Sequence, residues 1–360
     1  MSQDGNSDWN RYGPTAARPP GAKSGRVARP HSITIDIHSH VAVPQAAEFV
    51  KPHLDPAAIP LANFATPETR ALNARQDSDR SLVMTSHDKR LADLDAMGID
   101  LQVVMCPPPQ CYYAVPLDVA VKAARIVNEG VAAYVAARPD RFVALGTVPM
   151  PDGNEAAREL EHCMTALGFK GVQILTNVAG RELSDPAFAP FWKKAEELGA
   201  VVLIHPNGFT EARRLTRFYF NNVIGNPLET TIALHYLIFD GVLERHPGLK
   251  IIAVHGGGYL GAYPGRIDHA FGARGDARGG LPKPPSSYLK KIYVDTVVFT
   301  PEQLAGLVAT FGAGQVLLGT DYPYDMGEYD PLQHLEATAT LDAAARSAIA
   351  GGNAKKLFAL

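Results

Sequence analysis

From Ile33 to His40 the chain reads ITIDIHSH, apolar and polar residues alternating one by one, with Ile33, Ile35 and Ile37 set against Asp36, His38 and His40. A period of two predicts a β-strand with two unlike faces. Seven further strand-like segments follow: LQVVMCP (101–107), FVALGTVP (142–149), GVQILT (171–176), AVVLIHP (200–206), LKIIAVHG (249–256), IYVDTVVF (292–299) and VLLGTDYP (316–323). Between them, helical spacing is read over 86–97, 116–137, 153–167, 186–198, 228–244, 301–311 and 341–349. Ser86 before the first of these and Gly98 after it are the expected end signals. The stretch 41–86 is polar, broken by proline and without clean periodicity. It reads as an insertion of the kind that covers a site.

Strand-like and helix-like segments in alternation predict an α/β fold, a parallel sheet buried on both faces and closed as a (β/α)8 TIM barrel with an insertion after strand 1. An open, doubly wound sheet is the alternative. Neither a fixed-period repeat nor a linker interrupts 33–360, which is read as a single domain. Residues 1–32 are rich in Gly, Pro, Ser and Arg and poor in aliphatic side chains, and they read as a disordered or partner-wrapping arm.

Composition narrows the classes. A hydrophobic content of 46% with 20% charged residues fits a globular protein, and a net charge of −3 argues against nucleic acid as a partner. No apolar run approaches the roughly 20 residues that cross a bilayer, and the N-terminus lacks the apolar core of a signal peptide. Three scattered cysteines, Cys106, Cys111 and Cys163, do not build a disulfide framework. A reduced, cytoplasmic protein is the expectation.

The polar residues of interest share one place, the C-terminal end of a strand. His38 and His40 end strand 1, His205 strand 5, His255 strand 6 and Asp321 strand 8. In a closed barrel those ends meet at one mouth, where this fold builds its active sites. Three imidazoles and a carboxylate suit Zn²⁺ or a similar divalent ion with room for water. That leaves one histidine over, and His255, followed by three glycines, is placed to act as an acid or base. Asp295 on strand 7 is a candidate hydrogen-bond partner for a ligand. Asp325 and Glu328, past Asp321, either line the mouth or are solvated, and solvation is the favoured reading. The run Gly256-Gly-Gly258-Tyr-Leu-Gly261 matches a dinucleotide fingerprint formally, but it follows His255 on a late strand. Small residues that allow close approach are the better reading. No G-x-S-x-G nucleophile elbow occurs.

His38-Ser-His40, His205-Pro206, His255-Gly-Gly-Gly258 and Gly319-Thr-Asp321-Tyr-Pro323, in this order and strand context, resemble the amidohydrolase superfamily. Within it they resemble the decarboxylase branch, and the α-amino-β-carboxymuconate-ε-semialdehyde decarboxylase family in particular. The resemblance runs from about residue 33 to the C-terminus. It implies His38, His40, His205 and Asp321 as metal ligands, with His255 activating the metal-bound water and moving a proton. It implies that Arg266, eleven residues past His255, reaches across a homodimer interface to a substrate carboxylate, and that Arg274 is a second substrate arginine. Members with two metals carry a lysine at the end of strand 4; here that strand reads GVQILTN, so one ion is expected, Zn²⁺ first and Mn²⁺ second. Two departures bear on the substrate. Asn207-Gly208-Phe209 stands where the semialdehyde decarboxylase has an aromatic residue followed by an acid. The basic residues expected in the insertion have no clean counterpart, Arg80 being nearest.

The implied activity is metal-dependent, non-oxidative decarboxylation of a small unsaturated or aromatic carboxylic acid, without pyridoxal, thiamine or flavin. Hydrolysis or hydration at the same metal, acting on an amide, lactone or conjugated acid, is the alternative. A non-catalytic binding protein that kept the barrel is the third.

Overall fold

The structure, a computed structural model, describes residues 32–360, so the arm read over 1–32 lies outside the described residues apart from Ser32. The described residues form eleven strands: β1 Ile35–His40, β2 Leu101–Met105, β3 Phe142–Ala144, β4 Gly146–Thr147, β5 Gly171–Leu175, β6 Asn177–Val178, β7 Arg181–Glu182, β8 Val201–His205, β9 Lys250–Ala253, β10 Ile292–Asp295 and β11 Val316–Leu317. The short pair β6 and β7 is an antiparallel hairpin; the other strands pair in parallel, in the orders β1-β2-β3 and β11-β10-β9-β8-β5-β4.

Two junctions join these arcs into a ring. Leu145 N–H donates to Val104 O at 3.0 Å, so β3 and β4 are halves of one interrupted strand. On the other side, Ile37 N–H donates to Leu318 O (2.9 Å), Asp321 N–H to His38 O (2.8 Å) and His40 N–H to Tyr322 O (2.9 Å). The last strand thus returns to the first, and the fold is the expected (β/α)8 barrel. An inner apolar cluster, including Ile37, Met105, Leu203, Ile252 and Leu317, fills the ring. A larger one lies between the strands and the surrounding helices.

β1 departs from the alternation read in its sequence. Its register against β2 shifts between Asp36 and Ser39. An irregularity of this kind inserts a residue and reverses the side-chain parity beyond it. Ile35 and Ile37 therefore join the interior cluster, and His38 and His40 face the same interior rather than the opposite face. Asp36 is left on the outer side, buried beneath helix His87–Met97. There it accepts from Gln102 Nε2 (2.7 Å), Thr320 Oγ1 (2.6 Å), Thr320 N–H (3.0 Å) and His38 N–H (3.0 Å). Arg90 of that helix donates to Gln102 Oε1 at 2.9 Å and to the His40 carbonyl. This network pins the bulged end of β1 to both neighbouring strands.

The insertion after strand 1 is more regular than its sequence pattern indicates. It holds helix Pro44–Val50 and the 19-residue helix Pro67–Thr85, whose Thr66 cap accepts from Thr69 N–H at 3.2 Å. Only Gln76, Arg80, Val83 and Met84 of the longer helix are buried, so the apolar stripe that would announce it is nearly missing. Helix Pro264–Ala273, which occupies the place after β9, buries none of its residues and was invisible for the same reason. The helix read over 228–244 starts earlier, through the π-turn Asn221–Gly225 and helix Asn226–Phe239, and breaks at Gly241 (φ +73°). The segment read as a last helix continues through a π-turn into helix Asn353–Phe358, whose Leu357 and Phe358 close the inner cluster.

One buried carboxyl on helix Asn226–Phe239 gives a pH-dependent expectation. Glu229 accepts from Thr210 N–H at 3.0 Å, and burial pushes it up to about 7, with the charges of Glu182 and Glu211 adding to the effect. The folded value lies above the unfolded one of 4.5. The folded state therefore binds the extra proton, and stability falls as pH rises from about 4.5 through 7. Glu229→Gln removes that loss of up to about 3 kcal/mol. Thermal melts should show the variant gaining on the wild type at pH 8, with the gain shrinking towards pH 5. An equal difference at both values would contradict this.

Candidate functional site

The strand ends bring the predicted residues together. The ring centroids of His38, His40, His205 and His255 lie 5.0–5.3 Å apart in five of their pairings. Asp321 sits among them, with Oδ1 at 3.3 Å from His38 Nε2 and 3.2 Å from His40 Nε2, and Oδ2 at 3.4 Å from His255 Nε2. One potential ligand atom each from His38, His205, His255 and Asp321 falls within 4.8 Å of all the others.

The remaining ring nitrogens separate the histidines into two kinds. His38 Nδ1 donates to Asp295 Oδ2 at 2.8 Å, His40 Nδ1 to Cys106 O at 3.1 Å and His205 Nδ1 to Pro206 O at 2.6 Å. An acceptor at Nδ1 fixes the proton there and leaves the Nε2 lone pair facing the shared centre, as metal-binding histidines require. His38 Nε2 and His205 Nε2 are buried without a hydrogen-bond partner among the described residues. His255 is different: Nε2 faces Asp321, and Nδ1 is the buried nitrogen without a partner.

Electrostatics point the same way. Burial lowers His40, and burial together with the neighbouring imidazoles drives His205 well below the usual range, so both are neutral lone-pair donors. Burial alone would raise Asp321, yet His38, His255 and His40 outweigh it and hold the carboxyl well below the ordinary carboxylate range. Burial would lower His38 too, but Asp321 and Asp295 outweigh it and raise that imidazole, so positive charge is favoured at the centre. Neutral His40 and His205, a firm anion at Asp321 and the unpartnered Nε2 atoms of His38 and His205 fit a divalent cation.

The local backbone is built for this placement. His255 and Asp321 adopt left-handed conformations, with φ of +54° and +58°. Such conformations outside glycine cluster where function overrides local preference. The glycines after His255 serve packing: a Cβ on Gly258 would lie 2.2 Å from the Pro227 carbonyl oxygen. Gly319 does the same before Asp321, since a Cβ there would lie 3.1 Å from His38 Cβ and 2.9 Å from Asp295 Cβ. Asp295, beyond holding His38, accepts from Gly256 N–H at 2.8 Å and so ties β10 to the His255 loop.

The cluster opens onto a cavity of about 360 Å³ lined by His205, His255, Asp321, Asn207, Asn222, Asn226 and Tyr219, with Arg80, Tyr324 and Asp325. Tyr324 stands edge-on to His40 at 5.2 Å, and the Arg80 guanidinium lies over the Tyr324 ring at 4.6 Å. Arg80 is buried and pairs with Asp77, while its Nη1 has no partner among the described residues. Arg80 had only proximity in sequence to recommend it; the long helix of the insertion carries it to the site. Asp325, read as solvated, lines the cavity, and Glu328 is buried and accepts from Asp330 N–H at 2.7 Å. Both belong to the tight loop that returns from Asp321, which no periodicity marks. Arg266 and Arg274 stay on the surface and do not line the cavity; Arg274 pairs with Asp276 at 2.7 Å. No helix among the described residues is long and apolar enough to cross a membrane.

Residues 35–360 match the amidohydrolase family model. The chain belongs to that family. Relatives it is similar to include decarboxylases. It is 37% identical, over 76% of each chain, to a 2-amino-3-carboxymuconate-6-semialdehyde decarboxylase of Dictyostelium discoideum. Among solved structures it is similar to the 5-carboxyvanillate decarboxylase of Sphingomonas paucimobilis, with 26% identity, a TM-score of 0.80 and coverage of 91% of this chain and 99% of that one. It is also similar to the corresponding enzyme of Novosphingobium aromaticivorans in complex with manganese and 4-hydroxy-3-methoxy-5-nitrobenzoic acid, with 25% identity, a TM-score of 0.81 and coverage of 92% and 97%.

Proposed function

We propose that this amidohydrolase-family protein is a metal-dependent, non-oxidative decarboxylase of a small aromatic or unsaturated carboxylic acid. The observation that carries the reading is the junction of three anchored imidazoles and Asp321 with a cavity holding the unpartnered Arg80 Nη1 and the free Nδ1 of His255. His38, His40, His205 and Asp321 would hold one divalent ion; the residues suit Zn²⁺, and the manganese in the Novosphingobium structure supports Mn²⁺ equally. The ion supplies Lewis acidity towards charge developing as the C–C bond breaks. Arg80 holds substrate anion by a charge-assisted hydrogen bond. His255 delivers the proton that takes the place of CO₂ on carbon. Three free, buried cysteines suit the cytoplasm.

Purified protein reconstituted with Zn²⁺ or Mn²⁺ and incubated with hydroxylated benzoic acids and aminomuconate-type acids should release CO₂. Hydrolysed or hydrated product without CO₂ would overturn the reading.

Arg266 enters the site only from a second copy. It is exposed on helix Pro264–Ala273, next to Tyr259 and Tyr263, which are 42% and 69% exposed, an apolar surface suited to burial in a homodimer. Arg266→Ala and His255→Ala chains should each be impaired alone. Mixed and allowed to exchange, they form heterodimers with one intact site, and about a quarter of wild-type activity should return. No recovery on mixing would exclude a shared site.

A further inference from the structure

An acidic side chain in a cavity that receives an acid needs a reason. Asp325 lines the same cavity as Arg80, His255 and Asp321. It does not serve to neutralise Arg80, whose ion pair is made with Asp77. The one side chain that hydrogen-bonds it among the described residues is Gln76, whose Nε2 donates at a long 3.4 Å. The carboxyl is therefore under-compensated where it stands, and burial raises its pKa despite the opposing charge of Arg80. Beyond the metal cluster, a second cavity of about 350 Å³ shares His255, Asp321, Asn222 and Asn226 but is walled by Pro227, Val297, Val298 and Phe299. The two sides of the site thus differ in charge: beyond the shared residues, the first carries charged side chains of both signs and the second carries none.

We propose that Asp325 is a specificity-determining residue that selects acids carrying a hydroxyl or amino group in addition to the carboxylate. A ligand with both features satisfies Arg80 with its anion and Asp325 with its donor. A plain acid, or one whose donor is methylated, leaves Asp325 desolvated and unpaired, which is how a polar pocket rejects an analogue lacking a donor. The proposal rests on the decarboxylase reading for the choice of a carboxylic acid as ligand.

The test is isothermal titration of the Mn²⁺-loaded full chain with benzoic acids bearing one hydroxyl or amino group at each ring position, each paired with its methyl ether or dimethylamine. The wild type should prefer the free donor at one position or more by about 10- to 100-fold. Asp325→Ala should reduce that ratio to near one, chiefly by raising affinity for the methylated partner, which no longer strands a desolvated carboxylate. Asp325→Asn, which retains an accepting oxygen, should keep part of it, whereas a merely structural role would weaken both partners alike. A ratio that persists in Asp325→Ala, or no donor preference at any position, overturns the proposal, as does failure of every acid to bind. Donor-selective binding without CO₂ release would instead overturn the decarboxylase reading and leave the role of Asp325 standing.

Discussion

His205→Ala protein, dialysed and assayed by mass spectrometry, should hold a small fraction of the metal that the wild type holds, and its affinity for Zn²⁺ or Mn²⁺ should fall by more than about 100-fold. That bound follows from a comparison of roles. Losing a residue that only orients a ligand typically costs about 10–100-fold in metal affinity, and His205 contributes a lone pair itself. Its Nδ1 is tied to Pro206 O at 2.6 Å, and its Nε2 is buried with no hydrogen-bond partner among the described residues. No other function competes for that nitrogen. Asp295→Ala supplies the graded control: it removes the acceptor on His38 Nδ1 and the tie to Gly256 N–H but none of the proposed ligand atoms, and should fall within the lower range. CO₂ release should disappear with the metal in His205→Ala and return in part at high metal concentration in Asp295→Ala. Wild-type metal content in His205→Ala would dismantle the proposed centre.

The site was more legible in the sequence than the surface that serves it. Residues buried on both sides of a parallel strand leave continuous apolar runs, and His205, His255 and Asp321 stand out where those runs stop. Counting to strand ends therefore picked out the histidines and the aspartate that the fold brings together. What alternation could not show is the irregularity in β1, because a bulge shifts parity without changing residue types. Asp36 looked like a partner of His38 and His40 and instead fastens the outside of the barrel. The cavity wall was hidden for a related reason. Arg80 and Asp325 sit on a nearly all-polar helix and a tight loop, where neither period of two nor of 3.6 operates. Such positions acquire meaning only when the barrel sets them over the histidine cluster.

The second large effect separates binding from chemistry. His255→Ala should keep the ion, with affinity within a few-fold of wild type, while turnover falls by about 10²–10⁴, the usual contribution of a positioned proton donor or acceptor. The structure gives two reasons to part His255 from the other imidazoles. Its Nδ1 lacks the acceptor that fixes the proton in His38, His40 and His205, so the ring is free to change which nitrogen bears it. It also lies on a left-handed residue next to Gly256, at the seam shared by the two cavities, where a reacting carbon would sit. The rival arrangement exchanges it with His40, since His255 also lies within ligand distance of His38, His205 and Asp321. The two variants decide between them. With His255 as the proton carrier, His40→Ala loses metal and His255→Ala keeps it; with the roles exchanged, the pattern reverses. Product formed in D₂O completes the test, because the carbon that loses CO₂ should acquire deuterium at a rate that falls in His255→Ala with the metal still in place.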